Sequence, residues 1–522
     1  MQITTAAFTV EEKQSFRQLA QNLQISWHKQ SLLGNKTFII GVSLIGGGDV
    51  IGINPGAIGS PSNYKYFNES AYVISLGWER GYNMPEGGLS MGLAEALLDN
   101  TTGRFTPRYM GGHSELSTAI VPQRPAIINA GFNLGGVDVV LPQFAGLLND
   151  QPSVSVRDKT ISLSVADYVS YFQNKYLDQT VMFTGLFTDQ VIKILFNDLG
   201  MSTSQYRLDA GINLIPFGVF DIGTKFSDAI GQLVQAENGH LYQDETGVFR
   251  FENRQHWSNA PYNTVQKVIS TSQVIDAQAP NEDHLINIVE ITGGIYQKQP
   301  GQILFNLPTL SSFAVPPGGS YSQYFQFQDP VLNLTDPTIA GANSYFVANT
   351  APDNSGTDMS TSITVTRLGL FSQNVNYNFT NSSNFTVYIT QLVLWGRVAK
   401  RTSDLYYRQQ DDSSVTAFQS HDFQITNDFI QNYSWAQTYA QMLLNDFSNI
   451  ENLQQITIRA IPELQLGDLI SWQGKYWRIF DSKAQLDATQ GFTQILTLLQ
   501  RTIVTYFRIG VSTIAGGDQI SP

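Results

Sequence analysis

Residues 153–167 read SVSVRDKTISLSVAD. Val154, Val156, Ile161, Leu163 and Val165 alternate with polar residues within the two halves of this stretch, a period of two that puts apolar side chains on one face of a β-strand. Further short β-type runs, separated by Gly, Pro and Asn, lie at 37–42, 71–78, 126–129 and 159–164. The pattern predicts a sandwich or barrel with a strand about every 8–12 residues.

Composition excludes several classes of function. The 522 residues include no cysteine, which rules out disulfides, zinc-thiolate sites, iron–sulfur clusters and cysteine nucleophiles. Lys and Arg number 30 against 43 Asp and Glu, for a formal net charge of −13, so a surface for tight, sequence-specific DNA binding is not expected. Only 14% of residues are charged and 42% are hydrophobic. This balance predicts a folded chain with extensive protein–protein contacts.

Membrane insertion is not expected. The longest apolar runs, such as 38–45 and 137–141, are broken by Gly or Asp, far short of the roughly 18 residues of a spanning helix. The first residues show no basic segment followed by an apolar core, so no signal peptide is visible.

The predicted fold class is mainly β with some α (α+β). It comprises two tube-like β-barrel domains, a mixed α/β middle segment and an inserted β-sandwich. The insert is expected because its stretch is nearly free of charge yet rich in Asn, Thr, Tyr and Phe, too aromatic for a linker. The expected division is an N-terminal helical or extended segment (1–35), a first tube-like barrel (36–170), a mixed α/β domain (171–294), the inserted sandwich (295–400), a second tube-like barrel (401–505) and a C-terminal extension (506–522).

Helical spacing appears in four places. Phe16, Leu19 and Leu23 are spaced like one helix face. Thr188 is expected to cap a helix that Gly200 stops. A second helix begins near Phe226, and a hairpin follows it. Later elements are a helix with Trp435, Tyr439, Met442 and Leu443 on one face and strands at 455–459, 468–472, 475–480 and 493–502.

Catalytic and metal motifs are missing from the sequence. The histidines are His28, His113, His240, His256, His284 and His421; no two have i,i+4 spacing, so a zincin site is absent, and we interpret them as surface or core residues. The stretch 46–49 reads GGGD and predicts a tight turn rather than a phosphate loop. Residues 112–114 read GHS and lack the glycine pattern of a nucleophile elbow.

Carboxylates and aromatic residues leave weaker alternatives open. A glycosidase needs only two carboxylates about 5–10 Å apart, and the densest pairs are Asp411–Asp412 and Glu282–Asp283, which solvated loops explain better. Aromatic residues that could stack on sugars, but fit a sandwich core or interface better, are Tyr321, Tyr324, Phe325, Tyr345 and Phe346. The acids Asp329, Asp336, Asp353 and Asp358 lack the spacing of an EF-hand calcium loop. No catalytic, cofactor-binding or metal-binding residue is assigned, no cofactor is expected, and the chain is not expected to be an enzyme.

Several segments follow one another in the order of a known family. They are ALLDNTTGRFTP at 96–107, RPAIINA at 124–130, FAG at 144–146, the helix at 189–199 with Gly200, the stretch 226–251, the segment 436–444, LQLGDLI at 464–470 and WRI at 477–479. Together they resemble the tail hub or minor tail proteins of tailed phages, a baseplate hub-like family. Gln123 stands where that family usually has a glycine.

The resemblance implies an architecture rather than a reaction. Members form a homotrimer that closes the tail tube at the tail tip of the virion. Two barrels in each chain give six in the ring, which adapts a six-fold tube above to a three-fold fibre or spike below. The implied partners are distal tail or tail tube proteins, the tape measure protein and tail fibre or spike proteins. Double-stranded DNA would pass only in transit, and an acidic lumen would repel its phosphates.

Two other functions compete with a structural hub. One is a receptor- or carbohydrate-binding tail protein that acts through residues 295–400. The other is a wall-degrading enzyme at the tail tip, against which stands the lack of any readable Cys-His, Ser-His or metal constellation.

Overall fold

The computed structural model describes residues 1–14, 17–27, 66–278, 284–308, 311–487 and 491–501. Their fold is mainly β with some α, which confirms the predicted fold class. The run at 37–42, the turn at 46–49 and the extension at 506–522 lie outside the described residues. The division into domains stays a prediction.

Helices and strands are each numbered in chain order. The α-helices are α1 (Ala6–Glu12), α2 (Val169–Gln173), α3 (Thr188–Asp198), α4 (Phe226–Glu237), α5 (Asp412–Phe418) and α6 (Tyr433–Phe447). The first strands are β1 (Leu19–Ile25), β2 (Phe67–Asn68), β3 (Val73–Gly81), β4 (Gly88–Leu89), β5 (Leu93–Asp99), β6 (Pro125–Leu134), β7 (Val137–Leu148), β8 (Ser153–Ser155) and β9 (Thr160–Ala166). The middle strands are β10 (Val181–Phe183), β11 (Leu186–Phe187), β12 (Tyr206–Leu208), β13 (Leu214–Ile215), β14 (Gly218–Phe220), β15 (His240–Gln243), β16 (Phe249–Glu252), β17 (Lys267–Val268) and β18 (Val274–Ala277).

The remaining strands belong to the insert and the C-terminal part. They are β19 (Ile288–Lys298), β20 (Gln302–Asn306), β21 (Phe313–Val315), β22 (Ser320–Gln326), β23 (Val331–Thr335), β24 (Thr338–Ile339), β25 (Tyr345–Asn349), β26 (Ile363–Leu370), β27 (Asn374–Asn381), β28 (Val387–Gln410), β29 (Asp422–Thr426), β30 (Leu453–Arg459), β31 (Leu469–Trp472), β32 (Lys475–Asp487) and β33 (Gly491–Arg501).

One 14-stranded sheet joins the two ends of the chain. Its main path runs β18-β30-β33-β32-β3-β5-β9-β7-β6-β1-β2. At the centre β3 pairs antiparallel with β32, from Ser75 opposite Asp487 to Gly81 opposite Asp481. These N-terminal and C-terminal strands therefore share one open sheet, and the expected tube-like barrels are not closed in the described part of the chain. Alternation along each strand specifies which face is buried but not where a sheet ends, so the sequence could not show this connection.

Strands β3 and β32 also share an apolar core. Leu76 and Trp78 of β3 are buried in the same cluster as Ala484 and Leu486 of β32. Trp78 also packs on Phe492, with ring centroids 5.7 Å apart. The two ends of the chain are thus held by side-chain packing as well as by backbone hydrogen bonds.

The middle segment matches the predicted helices and hairpin. Helix α4 ends at Glu237. The next residue, Asn238, has a left-handed φ of 53°, a conformation that favours Asn or Gly. The hairpin β15–β16 follows, with Gly247 at φ 91° in its turn. Helix α3 begins at Thr188 itself rather than after it. The Thr188 hydroxyl donates to the Glu237 carboxylate at 2.8 Å, so the predicted Thr188 cap is wrong.

The prediction that Phe16, Leu19 and Leu23 share one helix face is wrong for the two leucines, and Phe16 lies outside the described residues. Helix α1 ends at Glu12, and Leu19 and Leu23 lie on strand β1, which pairs with β6. A spacing of four residues fits one face of a helix and also one face of a strand. Pairing with β6 decides between them here, and Leu23 is fully buried as a strand residue.

The insert is a sandwich carried on a long hairpin. Strands β20, β21, β23 and β25 pair with the first half of β28, and β22, β27 and β26 form the facing sheet. The second half of β28 continues into the body and pairs with β19. The Ser372 hydroxyl donates to Asp221 at 2.7 Å, a second contact that ties the insert to the body.

Candidate functional site

A buried polar cluster holds together distant parts of the chain. We call it the junction cluster, and its members are Tyr82, Asp209, His240, Tyr242, Glu252, His256, Trp257 and Arg478. Tyr82 directly follows β3, Glu252 ends β16, and Arg478 lies on β32. The cluster therefore sits where the N-terminal strands, the middle segment and the C-terminal strands meet.

Glu252 is the centre of this cluster. Its carboxylate accepts hydrogen bonds from the Tyr242 hydroxyl at 2.8 Å, the Tyr82 hydroxyl at 3.0 Å and Trp257 Nε1 at 3.2 Å. Burial raises the pKa of Glu252, while the nearby His256 and the tyrosine donors act in the opposite direction. Burial and the Glu252 carboxylate together raise the pKa of both tyrosines well above the usual value. The tyrosines are therefore hydrogen-bond donors and not bases.

His256 lies between two carboxylates. Its Nδ1 is 2.7 Å from Asp209 Oδ2, and its Nε2 is 3.3 Å from Glu252 Oε1 but without hydrogen-bond geometry. Its ring also packs on Tyr262, with centroids 4.0 Å apart. The arrangement holds the His256 ring between two carboxylates and against an aromatic ring.

His240 is a core histidine. Its ring stacks on Trp257 with centroids 5.1 Å apart and lies 4.6 Å from the Tyr82 ring. Burial, with smaller contributions from Arg501 and His256, lowers the pKa of His240 to about 3. It therefore stays neutral near neutral pH and acts as a packed ring.

Two arginines lie near the Trp257 ring. The Arg478 and Arg501 guanidinium carbons lie 5.0 and 5.7 Å from the Trp257 ring centroid. Arg478 also donates to the carbonyl oxygens of Gly467 and Tyr262. Burial and the neighbouring Arg501 lower the pKa of Arg478 to about 10, so it remains a cation that ties β32 to the middle segment.

Further buried ion pairs link the same parts. Arg80 pairs with Glu245 at 3.2 Å, with both side chains less than 10% exposed. Lys267 lies between Glu12 and Glu463, at 2.5 and 2.6 Å. Removing one partner of such a pair leaves an uncompensated buried charge, which costs about 3–5 kcal/mol.

An open cleft brings two acids together that the sequence did not single out. Its volume is about 400 Å³, and Glu79, Tyr82, Ser90 and Asp481 are among its lining residues. Burial, and then the nearby Glu79, raises the pKa of Asp481 to about 7. Glu79 pairs with Lys483 at 3.3 Å. Nothing in the sequence around Asp481 marked it, because its burial depends on the pairing of β3 with β32.

The other candidates from the sequence have structural roles or lie apart. Asp411 caps α5 by accepting from the Ser413 and Ser414 backbone amides, and Glu282–Asp283 lie outside the described residues. His28 also lies outside them, His113 is exposed, and His284 and His421 are half-buried. Within the described ranges no three His, Asp or Glu side chains are placed to hold a metal ion.

The insert's acids and aromatic residues do not converge on one site. Asp336 pairs with Arg367, while Asp353 and Asp358 accept hydrogen bonds from Ser355 and Ser360, two residues further along the chain. Phe325 and Phe346 are buried in the sandwich core. Tyr321 and Tyr324 are exposed on β22, and Tyr345 is half-buried on β25.

No helix in the described part of the chain is long and apolar enough to cross a membrane. No family model matches the sequence, and no curated protein does.

The solved structures that match this chain include tail proteins. The 43 kDa tail protein of prophage MuSo2 from Shewanella oneidensis matches with a TM-score of 0.42 and 11% identity, over 83% of this chain and 95% of that one. A tail protein from Neisseria meningitidis MC58 gives 0.43 and 9%, over 84% and 94%. The E. coli protein c3393, a type VI secretion component with structural similarity to the T4 tail proteins gp27 and gp5, gives 0.34 and 8%, over 83% and 74%. The first two of these proteins are described as tail proteins and the third as a secretion component.

Proposed function

We propose that the chain is a structural tail-tip, or baseplate, hub of a tailed phage. Three copies form a ring that closes the tail tube and lets DNA pass during ejection. The observation that carries the proposal is the pairing of β3 with β32, which joins N-terminal and C-terminal strands into one open sheet. The ordered motifs between residues 96 and 479 support the same conclusion.

An open sheet supports assembly because an edge strand can pair with a strand of another chain. Among the described strands, β18 lies at one end of the main path of this sheet. In a three-fold ring each copy would present one edge to the next copy, a head-to-tail contact that closes without further subunits. Each chain contributes an N-terminal set of strands (β1–β9) and a C-terminal set (β30–β33). Three chains then give six sets around the ring, matching a six-fold tube on one side and a three-fold fibre or spike on the other.

The charge of the chain suits a channel for DNA. Three copies at a formal net charge of −13 each form a strongly acidic ring. An acidic lumen repels phosphates, so the genome slides through without binding. In this proposal the neighbouring proteins are the distal tail or tube proteins, the tape measure protein and the fibre or spike, and the ring itself has no catalytic role.

Electron microscopy of the purified full chain tests the proposal. Class averages should show rings with three-fold symmetry and a central opening. The same sample should release no soluble sugar from isolated cell walls. Compact particles of one-chain size without a channel would contradict the ring, and wall degradation would contradict the non-catalytic role.

A further inference from the structure

One surface of the insert differs chemically from the rest of the sandwich. It is the outer face of the sheet formed by β22, β27 and β26, which we call the amide face. Its residues used below are Ser322, Tyr324, Thr366, Phe371, Asn376 and Asn378. The opposite face of the same sheet is apolar and buried, with Phe325, Val375 and Phe379 in the core.

Strand register places the amide-face residues in rows. Tyr324 is opposite Asn376, and Asn376 is opposite Gly369. In the next row Ser322 is opposite Asn378, which is opposite Thr366. Residues directly opposite each other share a face, so both rows present their side chains outward, and the rows are about 7 Å apart.

Two aromatic rings flank Asn376. The Tyr324 ring is 59% exposed and lies 6.4 Å from the Phe371 ring, at an interplanar angle of 34°. Gly369 has no side chain, and the Phe371 ring lies 3.3 Å from the position that a Cβ would occupy there. The missing side chain lets Phe371 lie over the sheet beside Tyr324.

Some polar side-chain atoms of the amide face have unused hydrogen-bonding capacity. The side-chain oxygen of Asn376 has no partner within the described structure although it is shielded from water. Because this oxygen is closed off from the surface, a ligand would contact Asn376 through its amide N–H groups, which donate. One row away, Ser322 Oγ donates to Asn378 Oδ1 at 3.0 Å, and Asn378 Nδ2 donates to Thr380 Oγ1 at 3.3 Å. One N–H of the Asn378 amide and the lone pairs of the Ser322 hydroxyl remain for a ligand.

The amide face carries no net charge. Among the three strands the one ionisable acid or base is Arg367, and its guanidinium pairs with Asp336 at 2.7 Å beside the buried Tyr377. Nucleic acid is not expected here, because phosphates require Lys or Arg. A membrane surface is not expected either, since that requires a broad apolar face with basic residues.

We propose that the amide face binds an uncharged oligosaccharide. An apolar C–H face of a sugar ring packs on Tyr324 and Phe371, and its hydroxyl groups exchange hydrogen bonds with Asn376, Asn378 and Ser322. The absence of charge on the surface matches a polymer of neutral hexoses. This inference is independent of the hub proposal, because it concerns the insert and not the edges of the large sheet.

A glycan array of neutral and acidic oligosaccharides, probed with the full chain, tests the inference. Binding to one or more neutral hexose oligosaccharides is expected, and calorimetry with the best of them should show at least a tenfold loss of affinity in Tyr324→Ala and in Asn376→Ala. Phe385→Ala is the matched control, since Phe385 is 64% exposed on the same sandwich and lies outside the amide face; its affinity should be unchanged.

Tyr324→Ala also addresses folding, because an exposed side chain can be removed without disturbing the core. The variant should keep the thermal midpoint and the oligomeric state of the parent, which separates loss of glycan binding from failure of the hub. Binding to acidic glycans alone, binding to none, or affinity that survives both face variants would overturn the inference.

Discussion

Gly467 faces the Tyr82 hydroxyl across the junction cluster. A Cβ at position 467 would lie 2.7 Å from Tyr82 Oη and 3.2 Å from Trp257 Nε1, and the Gly467 φ is 78°. Gly467 belongs to the LQLGDLI motif, so this motif brings the C-terminal strands against the residue that follows β3. The glycine is required both for its backbone conformation and for the close approach of two side chains.

Gly467→Ala should therefore destabilise the fold more than a glycine change in open space. The left-handed backbone costs about 1–2 kcal/mol for alanine, and the collision with Tyr82 adds about 1–3 kcal/mol. Gly474→Ala is the control, because Gly474 has a φ of 73° and nothing within 4 Å of an added Cβ. Denaturant unfolding of both variants measures the difference, and equal losses would show that the Tyr82 contact is unimportant.

Lys267→Met should lower the free energy of unfolding, because it removes the cation of two buried ion pairs. The Lys267 ammonium lies between Glu12 and Glu463, whose side chains are almost completely buried, so its removal should cost about 3–5 kcal/mol at pH 8. Burial and the nearby Glu12 raise the pKa of Glu463. The cost should therefore shrink as the pH falls, because protonation of Glu463 removes one of the two negative charges beside Lys267.

The exposed ion pair of Lys483 and Glu79 supplies the comparison. Lys483→Met should cost about 0–1 kcal/mol, as exposed pairs do. If both lysine variants lose the same stability, the Lys267 triad is not a structural requirement.

Asp481 should make the fold less stable as the pH rises. Its pKa is about 7 in the folded chain against a usual value of 3.8, so the folded state holds one more proton than the unfolded state between these values. The contribution of Asp481 to stability is then complete below about pH 4 and is lost as the pH rises to about 7.

Asp481→Asn removes this dependence, because the amide is neutral at every pH. The variant should match the parent near pH 4 and be the more stable of the two at pH 8, as measured by thermal midpoints across the range. Asp150→Asn, at an exposed position, should leave the profile unchanged. A parent and an Asp481→Asn variant with parallel profiles would contradict the raised pKa.

Ile275→Lys should prevent assembly if β18 is a subunit contact. Ile275 is 56% exposed on the strand that ends the large sheet, and an edge lysine disfavours pairing with another strand. The variant should stay folded and lose the trimer in sedimentation velocity. Val156→Lys, at a position 76% exposed in the turn after β8, should still assemble. An Ile275→Lys trimer as stable as the parent would exclude this edge.

Local features of the fold could be predicted from the sequence where neighbouring residues determine them. The apolar face beginning at Phe226 and the turn at Asn238 specify helix α4 and its end. Leu19 and Leu23 could not be assigned, because their spacing fits helix and strand alike and the partner strand β6 is about a hundred residues away.

The junction cluster could not be predicted from the sequence. His240, Glu252 and Arg478 carry no shared motif, and they meet because β3 pairs with β32. Gly467 was the one member of this region that the sequence pointed to. Its place in the LQLGDLI motif predicted a turn, but not that the Tyr82 hydroxyl packs against that turn. On the insert, Tyr324 was noted as an aromatic residue, whereas the alignment of Asn376 beside it depends on strand register.

The central claim is that the chain closes a ring as a homotrimer. Light scattering of the purified full chain at several concentrations tests it most directly. We expect a mass of three chains that persists on dilution. A mass of one or two chains at every concentration up to the solubility limit would contradict it.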